Sequence, residues 1–108
     1  MLSGSTAPGD LEVDYEILQD VGLKFRHQAD EVHELLGFLQ RRTDDLQADG
    51  WLGDAASRFY AEMAFEALPA LRRLAAALDE AHMVTRQLGD TFRVAEEDAA
   101  GQFQVTAS

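Results

Sequence analysis

Residues 49–56 read DGWLGDAA, that is Asp49-Gly50-Trp51-Leu52-Gly53-Asp54-Ala55-Ala56. They sit near the middle of a 108-residue chain and hold its single tryptophan and two of its eight glycines. Two closely spaced glycines mark a place where the chain turns sharply. Gly50 suits the left-handed position just after a helix. Asp54 suits the cap or first turn of the next helix, where a carboxylate meets the positive end of the dipole. Gly53, Ala55 and Ala56 keep the start of that helix slim where it passes the end of the first. The stretch therefore predicts a tight reversal over 49–53, and the fold depends on what flanks it.

Upstream, Leu11, Leu18, Phe25, Val32, Leu39 and Leu46 recur seven residues apart without a miss. Such a repeat predicts one amphipathic helix over about 11–48. Its apolar stripe is wide: Ile17, Val21 and Leu35 extend one edge, Tyr15 and Ala29 the other. A stripe of that width implies more than one packing partner. Downstream, Tyr60, Ala64, Ala67, Leu71, Leu74, Leu78, Ala81, Thr85, Leu88, Phe92, Ala95 and Ala99 alternate four and three apart. This predicts a second helix over about 54–100, kinked at Pro69, which lacks the N–H its position would use. The expected seam, within the hairpin or of its dimer, comprises Leu18, Phe25, Val32, Leu39, Leu46, Tyr60, Leu71, Leu74, Leu78 and Leu88.

Residues 1–10 are small and polar, broken by Pro8 and Gly9, and read as a flexible arm, with Asp10 as N-cap of the first helix. Residues 101–108 read as a flexible tail. The fold class is all-α: an antiparallel two-helix hairpin, with helices about 55 and 70 Å long. One hairpin is too thin to cover two wide stripes, so pairing into a four-helix bundle is expected.

Composition restricts function. The net charge is −11, with 9 basic against 20 acidic side chains. That balance disfavours nucleic acid and docking to anionic membranes. No stretch is apolar enough to span a bilayer, so no membrane insertion is expected, and the N-terminus lacks the basic and apolar regions of an ordinary signal peptide. There is no cysteine, which removes disulfides and thiolate chemistry. Two stretches, DEVH (30–33) and DEAH (79–82), place an acid three residues before a histidine, a spacing that metal-binding bundles use. With Val32 and Ala81 as seam positions, Asp30, His33, Asp79 and His82 are expected on solvated flanks, so no metal site, cofactor or catalytic set is assigned.

Trp51-Leu52-Gly53 between two heptad-patterned helices of an acidic chain of this length resembles the Trp-X-Gly (WXG) family of type VII secretion substrates, the early-secretory-antigen-like proteins. The resemblance covers nearly the whole chain. It implies a small helical protein made in the cytoplasm and exported as a folded dimer without an ordinary signal peptide. It also implies a homologous hairpin as partner, in a heterodimer, which is favoured, or a homodimer, and a membrane-bound secretion ATPase that engages the C-terminal segment. Family members also act as escorts. The family's C-terminal signature, Tyr-x-x-x-Asp/Glu, corresponds here to Phe92-Arg93-Val94-Ala95-Glu96, with phenylalanine in place of tyrosine. A looser form of it takes in Phe92, Glu96, Ala99 and Phe103, the candidate export signal. Trp51 has two readings: a plug for the hairpin end, or a ring touched by a partner. The competing class is a non-secreted intracellular helical adaptor.

Overall fold

The structure is a computed structural model, and it describes the backbone of residues 8–107 and the side chains of residues 14–102. Helix α1 runs Pro8–Ala48 and α2 runs Asp54–Glu62. A π-turn, Met63–Ala67, joins α2 directly to α3, Leu68–Ala107. Among the described residues there is no strand. The protein is all-α, a helical hairpin.

Both ends differ from the sequence expectation. Pro8, Gly9 and Asp10, assigned above to the arm, are helical, and Asp10 therefore lies in the first turn and not before it. Proline's fixed φ suits a first helical turn. The rest of the arm lies outside the described residues. At the other end α3 continues through Gly101 to Ala107, so the tail is helical up to there. One glycine costs a helix only about 1 kcal/mol, and the alanines before it are the best helix formers. Ser108 lies outside the described residues.

The chain forms two compact units. One is Arg26–Glu80, which holds the turn and the two helical arms leaving it. The other pairs α1 up to Phe25 with α3 from Ala81 onward.

In each unit the arms meet through small residues. In the first, Ala29, Ala56 and Ala75 are each 1% exposed, beside buried Met63, Leu68 and Thr43. In the second, Gly22, Thr85 and Gly89 are buried. A Cβ added to Gly22 would stand 3.7 Å from the Cβ of Thr85, and one on Gly89 would touch the Tyr15 ring at 3.4 Å. Glycine and alanine permit this close approach of the two helices. The buried threonines satisfy their hydroxyls locally: Thr43 donates to the Leu39 carbonyl (2.8 Å) and Thr85 to that of Ala81 (2.7 Å). Polar residues therefore sit in the seam without an unmet hydrogen bond.

The seam on α1 alternates four and three: Leu18, Gly22, Phe25, Ala29, Val32, Leu36, Leu39 and Thr43 are all buried or half-buried. Of the residues expected there, Leu18, Phe25, Val32 and Leu39 are half-buried, while Leu46 is 38% exposed. On the second arm Tyr60, Leu71 and Leu78 are half-buried, but Leu74 and Leu88 are 46% and 48% exposed. The seam there is Ala56, Tyr60 and Met63, then Leu68, Leu71, Ala75 and Leu78. Within the hairpin, one unbroken α period does not run across Pro69. In the π-turn the Leu68 N–H reaches the Met63 carbonyl, five residues back, and this inserts one residue into the repeat.

Candidate functional site

The reversal is built as its glycines require. Gly50 has φ +82°. Its N–H donates to the Gln47 carbonyl (3.1 Å) and the Trp51 N–H to that of Leu46 (3.1 Å). This double bond pattern closes α1 as a Schellman cap. Gly53 precedes α2 at φ +113°. A Cβ at Gly53 would meet nothing within 4 Å. Its role is the backbone angle and not the space for passing helices that the sequence reading gave it. Asp54 is the first residue of α2, while Ala55 is exposed and Ala56 buried.

Trp51 packs edge-on against Phe59 (centroids 5.5 Å apart) and Tyr60 (5.6 Å), which also contact each other (5.9 Å). The Tyr60 hydroxyl donates to the Trp51 carbonyl at 2.9 Å. Edge-to-face geometry places the positive ring edge on the neighbour's negative face. Trp51 nonetheless stays 40% exposed, Leu52 81% and Phe65 78%. The indole is thus a bracket between turn and α2 with one side open, and it is not a buried plug. Phe59 and Phe65 escaped the sequence reading. The signal was present in the adjacent pair Phe59-Tyr60, one helical turn past the small residues of the reversal.

The second feature is uncovered apolar side chains in each unit. In Arg26–Glu80 they are Leu35, Phe38 and Leu74, and in the other unit Ile17, Val21, Val84 and Leu88; all are at least 37% exposed. Each of these lies one residue before a seam position. In an antiparallel pair such positions fall on one side of the pair, and those one residue after fall on the other. The polar side confirms the arrangement within Arg26–Glu80: His33 and Asp79 each follow a seam residue, and His33 Nε2 donates to Asp79 Oδ2 at 3.0 Å.

That pair links the DEVH and DEAH stretches, which do meet, but through one contact between exposed side chains. His82 is not on a solvated flank as expected. It is half-buried in the seam, and its Nδ1 donates to the Gly22 carbonyl at 2.9 Å. Among the described residues no three His, Asp or Glu side chains gather as a metal site would require.

Phe92 and Glu96, one turn apart, are both half-buried in the seam of the second unit, and Ala99 is exposed. The Phe103 side chain lies outside the described residues. The segment is helical throughout. Among the described residues no helix is long and apolar enough to cross a membrane.

The family model described as proteins of 100 residues with WXG matches residues 10–97. No curated protein and no solved structure matches the chain.

Proposed function

The chain belongs to the WXG100 family, and from that premise we propose that it is itself a secreted substrate of a type VII system, exported as a folded dimer with a related hairpin. Members of the family are small helical proteins of type VII secretion and not enzymes. The observation that carries the proposal is the extent of the family match, residues 10–97, which takes in both arms and Trp51-Leu52-Gly53.

The uncovered apolar side chains of α1 and α3 support the partner. In each unit these large side chains, one residue before the seam, leave apolar surface in water that a partner helix could cover. A second hairpin laid over them completes a four-helix bundle. A heterodimer with a homologous hairpin is the proposed form. The C-terminal part of α3, with Phe92, Glu96, Ala99 and Phe103, is the proposed contact for the membrane-bound ATPase. Phenylalanine at 92 offers that contact a ring without a hydroxyl. The partner supplies any further recognition.

The test is secretion of the tagged protein from its native host, beside a form ending at Phe92 and beside a host lacking the secretion ATPase. Export of the full chain only, and only with the ATPase, supports the proposal. Equal export of both forms moves the signal to the partner. Retention of the full chain in a host whose machine is active overturns export and turns the reading to an intracellular adaptor.

A further inference from the structure

The π-turn leaves α3 with two rows that differ by one residue. Had α2 continued as a plain α-helix, the step from Met63 would have led to Ala67, and the row beginning at Tyr60 would have run on through Ala67, Leu74, Ala81, Leu88 and Ala95. The π-turn steps from Met63 to Leu68 instead. The row turned inward is then Leu68, Ala75, His82, Gly89 and Glu96, each buried or half-buried, while in the other row Leu74, Leu88 and Ala95 are exposed and Ala67 and Ala81 half-buried. The inward row contains an imidazole, a glycine and a carboxylate. The other row is wholly apolar. A plain α-helix would bring that row against α1.

Pro69 is what opposes that. It has no N–H for the Phe65 carbonyl, and its ring would collide with that carbonyl in an α-helix. Widening Met63–Ala67 into a π-turn moves Pro69 into the first turn of α3, where proline is tolerated.

We propose that the Met63–Ala67 π-turn, set by Pro69, is a register selector: it turns Leu68, Ala75, His82, Gly89 and Glu96 of α3 inward against α1 and leaves Leu74 and Leu88 outward, open to a partner helix. Losing the turn while keeping every residue rotates α3 by about 100° about its axis, so that the residue before each inward one faces α1 and Val84 takes the place of Thr85. The assignment of the outward residues to a second hairpin rests on the proposed function; the register itself does not.

The chain has no native cysteine, so paired cysteines report register directly. The Cβ positions at 22 and 85 are 3.7 Å apart, within the range that a disulfide needs, about 3.5–4.5 Å. Gly22→Cys with Thr85→Cys reads the observed register. Gly22→Cys with Val84→Cys reads the alternative one. Intact mass of the non-reduced protein separates intrachain from interchain closure. In the parent background the 22–85 pair closes within the chain and the 22–84 pair stays open.

With Pro69→Ala, closure is expected to appear at 22–84 and to fall at 22–85. With Pro69→Ala and Glu66 deleted together, a plain α-helix carries Met63 directly to Leu68, so 22–85 closes again and 22–84 opens. The proposal is overturned by the parent pattern persisting in Pro69→Ala, or by loss of 22–85 closure in the deletion. Circular dichroism on each variant identifies one that has not folded, and the other background then decides. Sedimentation reports association separately: a monomeric parent removes the proposed partner and leaves the register test standing.

Discussion

Trp51 keeps two-fifths of its surface in water while bridging two rings of α2. Replacing it with alanine is expected to cost about 1–2 kcal/mol, below the ~3–5 kcal/mol of a fully buried ring. A denaturant midpoint compared at equal slope measures this, and a loss at the buried-ring level would mean the indole is more enclosed than its exposure implies. Gly50 is a sharper case. At φ +82° an alanine meets the left-handed penalty of about 1–2 kcal/mol. Gly89 behaves oppositely. It lies inside α3, where a Cβ meets only an ordinary contact with Tyr15 at 3.4 Å. Gly89→Ala is expected to stabilise by up to about 1 kcal/mol through helix propensity, and Gly89→Leu to destabilise by forcing the arms apart. Thermal melts of the two variants should therefore move in opposite directions.

At the scale of elements, both helices and the reversal were legible because each has its own local signal. Seven-residue spacing marks α1, the 50/53 glycine pair marks the turn, and Asp54 opens α2. What was not legible is the register of α3. By spacing alone, Leu71, Leu78, Thr85 and Phe92 pair as well with Leu74, Ala81 and Leu88 as with Ala75, His82 and Gly89, so periodicity cannot say which set completes the seam. Leucine outranks glycine and histidine in any apolar count, so the count chose the outer row. Pro69 announced a break but not the extra residue that the break contains. The export segment was legible only in part: Phe92 and Glu96 fall one turn apart as their spacing requires, and Phe92 lies on the apolar stripe, yet nothing in that stripe places Glu96 in the seam. The Tyr60 hydroxyl bond to Trp51 ties turn to helix. Tyr60→Phe is expected to lose about 0.5–1 kcal/mol, and to raise amide exchange at Trp51 and Leu52 while the far end of α3 stays unchanged.

For the whole molecule, the proposed partner makes a concentration-dependent claim. Association that buries the outer row stabilises by mass action, so the melting temperature of the partnered protein should rise with concentration. Leu88→Glu, a charge placed on the exposed row, should remove that dependence while helicity in circular dichroism persists. A melting temperature independent of concentration in the parent would argue that the row stays uncovered.

The thin, small-residue seam has a further bearing on lifetime. No large side chain is fully buried among the described residues, so little holds one arm on the other and a lone copy opens often. Opening exposes backbone to proteases. A copy made in excess of its partner would be cleared, and a paired one would persist. Cells would then need no regulator to match the two: breakdown of the surplus sets the ratio. Pulse-chase labelling with the partner's expression varied should show the half-life of this chain rising with partner dose, and falling back once Leu88→Glu prevents pairing.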